Sequence, residues 1–320
     1  MKQHYIPQCY LREFLNSDRK LHTLDTALKK HGKKVFDEPR FPTEVCRSKD
    51  FYTIQTTFSK NYKHLSTLKP FALEESFHQY ERDYPKLVIK LKAKQKALIK
   101  KDASSLIYSL VDMKLRNKYF RDTIVPSAHE KVINETLSEL RENVSSIDLS
   151  QFPQITPQAI SNTILKIQQQ FTPSDEIHKQ GHISSLMLRK QQGNEIHEKI
   201  IQQLFKLQWK VMIAKNNSFI TNDNPGVCYQ SNGYIQNTKF DQDFTYIVPI
   251  SPQLCLWISD AEPDTKWIKN NAQKAIEYIE LNKDSVSKIN QLSLKHYNRF
   301  IFSNNKSVID QIAEVVNRVQ

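Results

Sequence analysis

Glycine is scarce in this sequence. Only five glycines occur among 320 residues, and no two of them lie closer than seven positions apart. Dinucleotide-binding folds and P-loop enzymes need closely spaced glycines, because their backbone must approach a phosphate group. The sequence therefore excludes both of these phosphate-binding loops.

Paired cysteines and long apolar segments are also missing. The four cysteines form no C-x-x-C pair, so neither a zinc knuckle nor a disulfide framework is expected. The first residues carry no apolar signal-peptide core, and no apolar run reaches the roughly 18 residues of a membrane-spanning helix. We therefore expect a cytoplasmic protein with no membrane partner.

Positive charge is concentrated in the first third of the chain. Lys and Arg number 46 against 34 Asp and Glu, which is a net charge of +12. Residues 1–101 hold 22 basic and 11 acidic residues, whereas residues 102–320 hold 24 and 23. The densest part, which we call the lysine run, comprises Lys86, Lys90, Lys92, Lys94, Lys96, Lys100 and Lys101.

Two interpretations of the lysine run stay open. It could be a surface that contacts the phosphate backbone of RNA or DNA. It could equally be a solvated helix face, on which Leu87 and Leu91 pack inward and the lysine stems cover apolar surface. The absence of arginine and aromatic residues between positions 86 and 101 argues against base recognition there.

Hydrophobic periodicity predicts an α+β fold, with a helical middle region and a mostly antiparallel sheet built largely from the C-terminal half. We expect one domain over residues 1–320, with sub-regions at 1–67, 68–203 and 204–320. The predicted helices lie at 7–16, 68–141 (broken or kinked at Pro85, with a separate helix at 103–120), 126–142, 157–171, 266–281, 284–297 and 306–319. The predicted extended segments lie at 20–25, 50–56, 205–213, 219–221, 246–249, 254–258 and 299–302. Residues 36–49 are expected to be irregular, and Asp148 to Pro157 to form a linker.

The opening segment combines three side chains that suit acid–base chemistry on an anion. Pro7 favours the start of a helix, which places Gln8 and Arg12 four residues apart on one face, with His4 just before the first turn. Histidine can carry a proton near neutral pH, an amide can orient it, and arginine can clamp an anion. The alternative is that His4 caps the helix and Arg12 forms a structural ion pair.

Residues 221–225, Thr-Asn-Asp-Asn-Pro, follow an apolar strand and predict a polar turn. Pro225 disfavours helical geometry at Asn224, and Asn and Asp favour turns. Asp223, with Asn224 beside it, is a candidate to bind a divalent cation such as Mg²⁺ or to act as a base. The alternative is an Asx turn, in which these side chains bond to backbone amides.

Two carboxylates share one predicted helix face. Glu74 and Glu81 lie seven residues apart, which is two helical turns. Carboxylates so placed can hold a metal ion, so Glu81 joins Asp223 as a candidate metal ligand. A solvated acidic face next to the lysine run is the alternative.

Four short motifs resemble a known family. These are His4-Tyr5-x-Pro7-Gln8-x-Tyr10-Leu11-Arg12-x-Phe14, Phe51-Tyr52-Thr53, Thr221-Asn222-Asp223-Asn224-Pro225 and Pro249-Ile250-Ser251-Pro252. In this order they resemble the bacterial family catalogued as domain of unknown function 4238, over roughly residues 3 to 300. The resemblance adds weight to His4, Gln8, Arg12, Asp223 and Asn224, and it implies a toxin-like or nuclease-like effector, since some members are associated with phage defence.

Three functions remain open at this point. The first is a nuclease-like, nucleic-acid-processing enzyme, in which His4 handles a proton, Arg12 holds a phosphate and Asp223 binds a metal or activates water. The second is a non-catalytic module that binds nucleic acid or senses a phage product. The third is an enzyme acting on a nucleotide. RNA or DNA is the expected partner of the first two, and the sequence predicts no oligomeric state.

Overall fold

The described part of the chain contains nine α-helices and twelve strands. The computed structural model describes residues 2–54, 65, 67–146, 156–171, 174–190, 195–237, 243–263 and 273–318. Its helices are α1 (Gln8–Leu11), α2 (Ala72–Lys92), α3 (Lys100–Arg116), α4 (Val125–Ser145), α5 (Pro157–Phe171), α6 (Asp175–Lys190), α7 (Glu195–Lys206), α8 (Lys283–Ser293) and α9 (Lys306–Arg318). Among these residues no helix is both long enough and apolar enough to cross a membrane.

The strands form three sheets. They are β1 (Lys2–His4), β2 (His22–Asp25), β3 (Arg47–Lys49), β4 (Ala97–Ile99), β5 (Leu207–Ala214), β6 (Thr221–Asn222), β7 (Val227–Tyr229), β8 (Ile235–Gln236), β9 (Thr245–Pro249), β10 (Leu254–Pro263), β11 (Gln273–Leu281) and β12 (Phe300–Ser303). A seven-stranded sheet has the order β4-β11-β5-β10-β9-β7-β8, a three-stranded sheet has β2-β12-β6, and β1 pairs with β3. Among the described strand pairs of the large sheet, β5 and β11 are parallel and the others are antiparallel. The predicted α+β class is confirmed. The large sheet is mostly antiparallel, and six of its seven strands come from the C-terminal half of the chain.

Side-chain alternation along the strands buries both faces of the large sheet. Leu207, Trp209 and Val211 of β5 face the main core, which also contains side chains of α2 and α3. Met212 and Ala214 face a smaller core that contains apolar side chains of α8. Successive strand residues point to opposite faces, so one strand can serve both cores. The main core takes residues from all three predicted sub-regions.

Pro85 lies inside α2 and does not end it. A proline within a helix removes one backbone hydrogen bond and costs about 3 kcal/mol. On this helix Phe77, Tyr84, Leu87 and Leu91 are buried on one face, and burying each such side chain contributes about 1.5–3 kcal/mol. The apolar face therefore outweighs the proline. Of the predicted break or kink at Pro85, the break is wrong, because α2 continues through this residue.

Other sequence predictions are also wrong. Leu98, assigned to a helical stripe, lies in β4, and the predicted helix at 266–281 contains strand β11. β11 lies between β4 and β5 and bonds to both. The two neighbouring strands form hydrogen bonds with the backbone N–H and C=O groups of β11. This pairing cannot be recognised from the local sequence pattern. Residues 50–54 form no strand, and the predicted linker at 148–157 lies almost wholly outside the described residues.

The opening helix is held to the C-terminal strands by a buried tyrosine. The Tyr10 hydroxyl lies 2.6 Å from Thr221 Oγ1 and donates to the Pro249 carbonyl at 2.7 Å. Both partners belong to the motifs that resemble the family. Gly226 follows the same turn with φ +81°, and a Cβ there would lie 2.8 Å from Val248 Cγ2, so only glycine fits.

We expect Tyr10→Phe to lower the free energy of unfolding by about 1–3 kcal/mol, because a buried carbonyl and a buried hydroxyl lose their partner. Urea denaturation measures this change. Tyr234→Phe is the matched control, since Tyr234 is 60% exposed and its loss should change stability by less than about 0.5 kcal/mol. Equal effects of the two substitutions would contradict the role of Tyr10.

Candidate functional site

Three polar side chains of the opening segment lie in a row. Arg12 Nη2 donates to Gln8 Oε1 at 3.2 Å. Gln8 Nε2 lies 3.4 Å from both ring nitrogens of His4. The structure thus brings together the histidine, the amide and the guanidinium that helical spacing predicts on one face.

Helix α2 completes a cavity around this row. The cavity has a volume of about 770 Å³, and we call it the His4 cavity. Its lining is His4, Gln8, Cys9, Arg12, Glu74, His78, Glu81 and Arg82. Sequence reasoning identified the glutamates but missed His78 and Arg82. Their positions four and eight residues after Glu74 are the signal that could have found them, because such residues share a helix face.

The electrostatics of the cavity suit proton transfer. Burial, reinforced by the positive charge of Arg47, lowers the pKa of His4. A neutral imidazole at neutral pH can accept a proton. Burial raises the pKa of Glu74, so this carboxyl keeps its proton to a higher pH than an exposed glutamate does. A neutral imidazole and a carboxyl with a raised pKa therefore line the same cavity.

Glu81 forms an ion pair with a buried arginine. Arg116 Nη2 donates to Glu81 Oε1 at 2.6 Å, and its side chain is 3% exposed. The Arg116 guanidinium also lies over the Phe77 ring, 4.2 Å from its centroid. This ion pair holds Glu81 in place at the cavity wall.

The predicted metal site is not assembled in the described part of the chain. No group of three or more His, Cys, Asp or Glu side chains there is arranged to hold a metal ion. Asp223 is not among the residues that line the His4 cavity with Glu81. The two candidate ligands for Mg²⁺ are thus not brought together.

Asp223 supports the backbone of a neighbouring segment. Its side chain is fully buried. One carboxylate oxygen accepts the backbone N–H of Asn298 at 2.8 Å, and the other accepts those of Arg299 and Phe300 at 2.8 and 3.1 Å. The nuclease-like hypothesis gives His4, Arg12 and Asp223 roles in one reaction, which requires them to share a cleft. They do not, because Asp223 is buried and does not line the His4 cavity. The opening segment and the turn do meet, but in the core, through Tyr10 and Thr221.

Asn224 belongs to the same buried network. It accepts from Asn117 Nδ2 at 2.8 Å and donates to Asn237 Oδ1 at 2.8 Å. Its backbone N–H donates to Asn222 Oδ1 at 2.7 Å, which is the Asx turn considered as the alternative. Lys114 Nζ donates to the carbonyl of Asn224. These contacts give Asp223 and Asn224 positioning roles, away from the cavity.

The lysine run spans the end of α2, β4 and the start of α3. Three of its members form ion pairs: Lys90 with Asp102 at 2.5 Å, Lys92 with Glu13 at 2.7 Å and Lys94 with Glu280 at 3.7 Å. The others are exposed and make no ion pair with described residues: Lys86, Lys96, Lys100 and Lys101. None of the seven lines the His4 cavity. Much of the run therefore resembles a solvated, partly paired surface.

The fold and the cavity define an α+β protein whose amino-terminal motif and α2 together form a polar, open site. The chain belongs to the family described as protein of unknown function (DUF4238), whose model matches residues 2–307. Comparison with curated proteins gave no match, and neither did comparison with solved structures.

Burial of Asp223 predicts a pH-dependent stability. Burial raises its pKa from 3.8 to about 6. Between these values the folded chain holds a proton that the unfolded chain has released. The free energy of unfolding therefore falls as pH rises through this interval, by an amount on the order of 3 kcal/mol. Asp223→Asn should remove this contribution, so the free energy of unfolding should change less with pH between 3.8 and about 6.

Urea denaturation across that pH interval measures the effect. Asp18→Asn is the control, because Asp18 is exposed, and its profile should match that of the wild type. A profile for Asp223→Asn as steep as that of the wild type would show that Asp223 does not titrate in this interval.

Proposed function

We propose that the protein cleaves a phosphodiester bond of a nucleic acid in the His4 cavity. One observation carries the proposal: the row of His4, Gln8 and Arg12 faces the α2 residues Glu74 and His78 across one open cavity. Its volume of about 770 Å³ lies within the range of roughly 300–1,000 Å³ typical of ligand sites.

Four of the cavity residues act on the substrate in this reaction. Neutral His4 accepts a proton from the attacking water or ribose hydroxyl, as the new P–O bond forms. Arg12 and Arg82 hold the phosphate oxygens, which carry extra negative charge in the transition state. Neither arginine forms an ion pair with any described residue. Glu74, whose pKa burial raises, is the acid in this scheme and donates a proton to the leaving oxygen as the second P–O bond breaks.

Gln8 is a positioning residue in this scheme. Its amide lies between the His4 ring and the Arg12 guanidinium. It can therefore fix the ring orientation and the guanidinium together. Cys9 lines the same cavity, and burial raises the pKa of its thiol to about 12. A protonated thiol is a poor nucleophile, so Cys9 has no role in the reaction.

The cellular setting is part of the same proposal. All four cysteines, Cys9, Cys46, Cys228 and Cys255, are free thiols, which fits the reducing cytoplasm. An effector role in phage defence, implied by the family resemblance, is compatible with a cytoplasmic target such as RNA or DNA.

We expect His4→Ala to lower the cleavage rate by about 10²–10⁴-fold, which is the usual contribution of a general base. Purified protein is incubated with labelled single-stranded RNA, single-stranded DNA and duplex DNA, with EDTA or with Mg²⁺. Arg12→Ala should also reduce the rate, because it removes a cation that holds the phosphate. His31→Ala and Arg141→Ala are controls, since both side chains are exposed and lie outside the cavity.

Several outcomes would contradict this proposal. Full activity of His4→Ala would remove the histidine from the mechanism. Binding without cleavage by the wild type would favour the non-catalytic module. Loss of free nucleotides with intact RNA and DNA would favour an enzyme acting on nucleotides.

A further inference from the structure

A second cavity is lined by basic side chains from separate parts of the chain. We call it the basic cleft, and its volume is about 350 Å³. Its cations are Lys2, Arg40, Arg47, Lys49, Lys118 and Arg299. Glu44 is the one acidic side chain among the described residues that line it. The cleft therefore carries a strong excess of positive charge.

Part of this charge is balanced within the protein. Arg299 and Arg40 both contact Asp25, at 2.5 and 3.5 Å. Lys118 contacts Asp122 at 3.1 Å. These three cations are thus held in defined positions by carboxylates.

The remaining charge lies on the two-stranded ladder of β1 and β3. Lys2 is the direct cross-strand partner of Lys49, and His4 is that of Arg47. Lys2, Lys49 and Arg47 are exposed and form no ion pair with other described residues. Like charges directly opposite each other in a ladder are destabilising. An anion bound between the strands would offset this repulsion.

The polar turn supports one wall of the cleft. Asp223 accepts backbone N–H bonds from Asn298, Arg299 and Phe300, and all three of these residues line the cleft. The turn therefore contributes to the cleft through backbone positioning, without reaching its surface.

The ladder also connects the two cavities. His4 lines the His4 cavity, and its cross-strand partner Arg47 lines the basic cleft. Side chains of direct antiparallel partners emerge on the same face of a ladder. A chain molecule that crosses this face can therefore contact both cavities.

We propose that the basic cleft binds backbone phosphates of a polynucleotide whose reacting bond lies in the His4 cavity. The substrate is then a polymer and not a free nucleotide. The assignment of the reacting bond rests on the proposed function, whereas phosphate binding by the cleft does not require cleavage. Lys and Arg side chains that neutralise phosphates release counterions, so the binding must depend steeply on salt.

The test compares two triple variants of equal charge change. The cleft variant combines Lys2→Ala, Arg47→Ala and Lys49→Ala. The lysine-run variant combines Lys96→Ala, Lys100→Ala and Lys101→Ala, which are exposed and not ion-paired among described residues. Binding of a short labelled single-stranded RNA, and of DNA of the same sequence, is measured against salt in EDTA on a His4→Ala background.

We expect the cleft variant to bind at least about tenfold more weakly. Its slope of log affinity against log salt should be shallower by about 0.7 for each phosphate that the variant no longer neutralises. The lysine-run variant should keep the parental affinity and slope. Lys49→Glu should weaken binding without lowering the melting temperature, because the introduced carboxylate would face Lys2 across the ladder with the opposite charge. This variant therefore distinguishes weaker binding from impaired folding.

The outcomes distinguish the two proposals. Weaker binding by the cleft variant, with no cleavage by the otherwise wild-type protein, would support the cleft and remove the proposed function. Cleavage by the wild type with unchanged binding by the cleft variant would overturn the cleft and keep the function. An equal loss of affinity in both triple variants, a loss confined to the lysine-run variant, or no binding by the parent would each overturn the cleft proposal.

Discussion

The hydroxyl of Tyr10 connects parts of the chain that are far apart in sequence. It bonds to Thr221 and to Pro249, which lie 211 and 239 positions later. Helix α1 has only four residues, and so short a helix has no stability of its own in water. Its position depends on this buried junction and on the apolar packing around it. Because α1 carries Gln8 and leads into Arg12, the same junction sets the geometry of the His4 cavity.

The motifs that identify the family divide into two physical roles. In the opening motif, Tyr10 anchors the helix while His4 and Arg12 face the cavity. In the polar turn, the side chains that looked reactive are buried, and their hydrogen bonds go to backbone and amide groups. Burying a carboxylate such as Asp223 is costly unless its oxygens are bonded, and three backbone amides meet that need. The polar turn therefore supports the architecture of this chain and does not line the His4 cavity.

Positive charge is distributed differently on the folded surface than along the sequence. The lysine run is dense along the chain, but three of its side chains form ion pairs with carboxylates, two of them on elements distant in sequence. The basic cleft collects cations that are scattered in sequence, from Lys2 to Arg299. Charge density along a chain is therefore a poor guide to charge density on its surface, since folding pairs some charges and clusters others.

The elements with strong local patterns were the ones that could be predicted. The helical spacing of α3, α5 and α9 and the apolar strands β9 and β10 were recognised from local residues alone. β11 was not, because its strand geometry comes from pairing with β4 and β5. Within the site, the row of His4, Gln8 and Arg12 follows from helical spacing. The contribution of His78 was missed, although His78 lies four residues after Glu74, the same spacing that separates Gln8 from Arg12.

The amino-acid sequence by itself determined which side chains share a helix face, where positive charge is in excess, and that no glycine-rich phosphate loop exists. These are properties of neighbouring residues and of backbone geometry. Only the tertiary structure decided that α2 faces α1 across a cavity, that Asp223 lies in the core, and that Arg47 stands opposite His4. Such contacts join residues far apart in the chain, and they are selected by the burial of whole apolar faces and the pairing of whole strands, which no local pattern encodes.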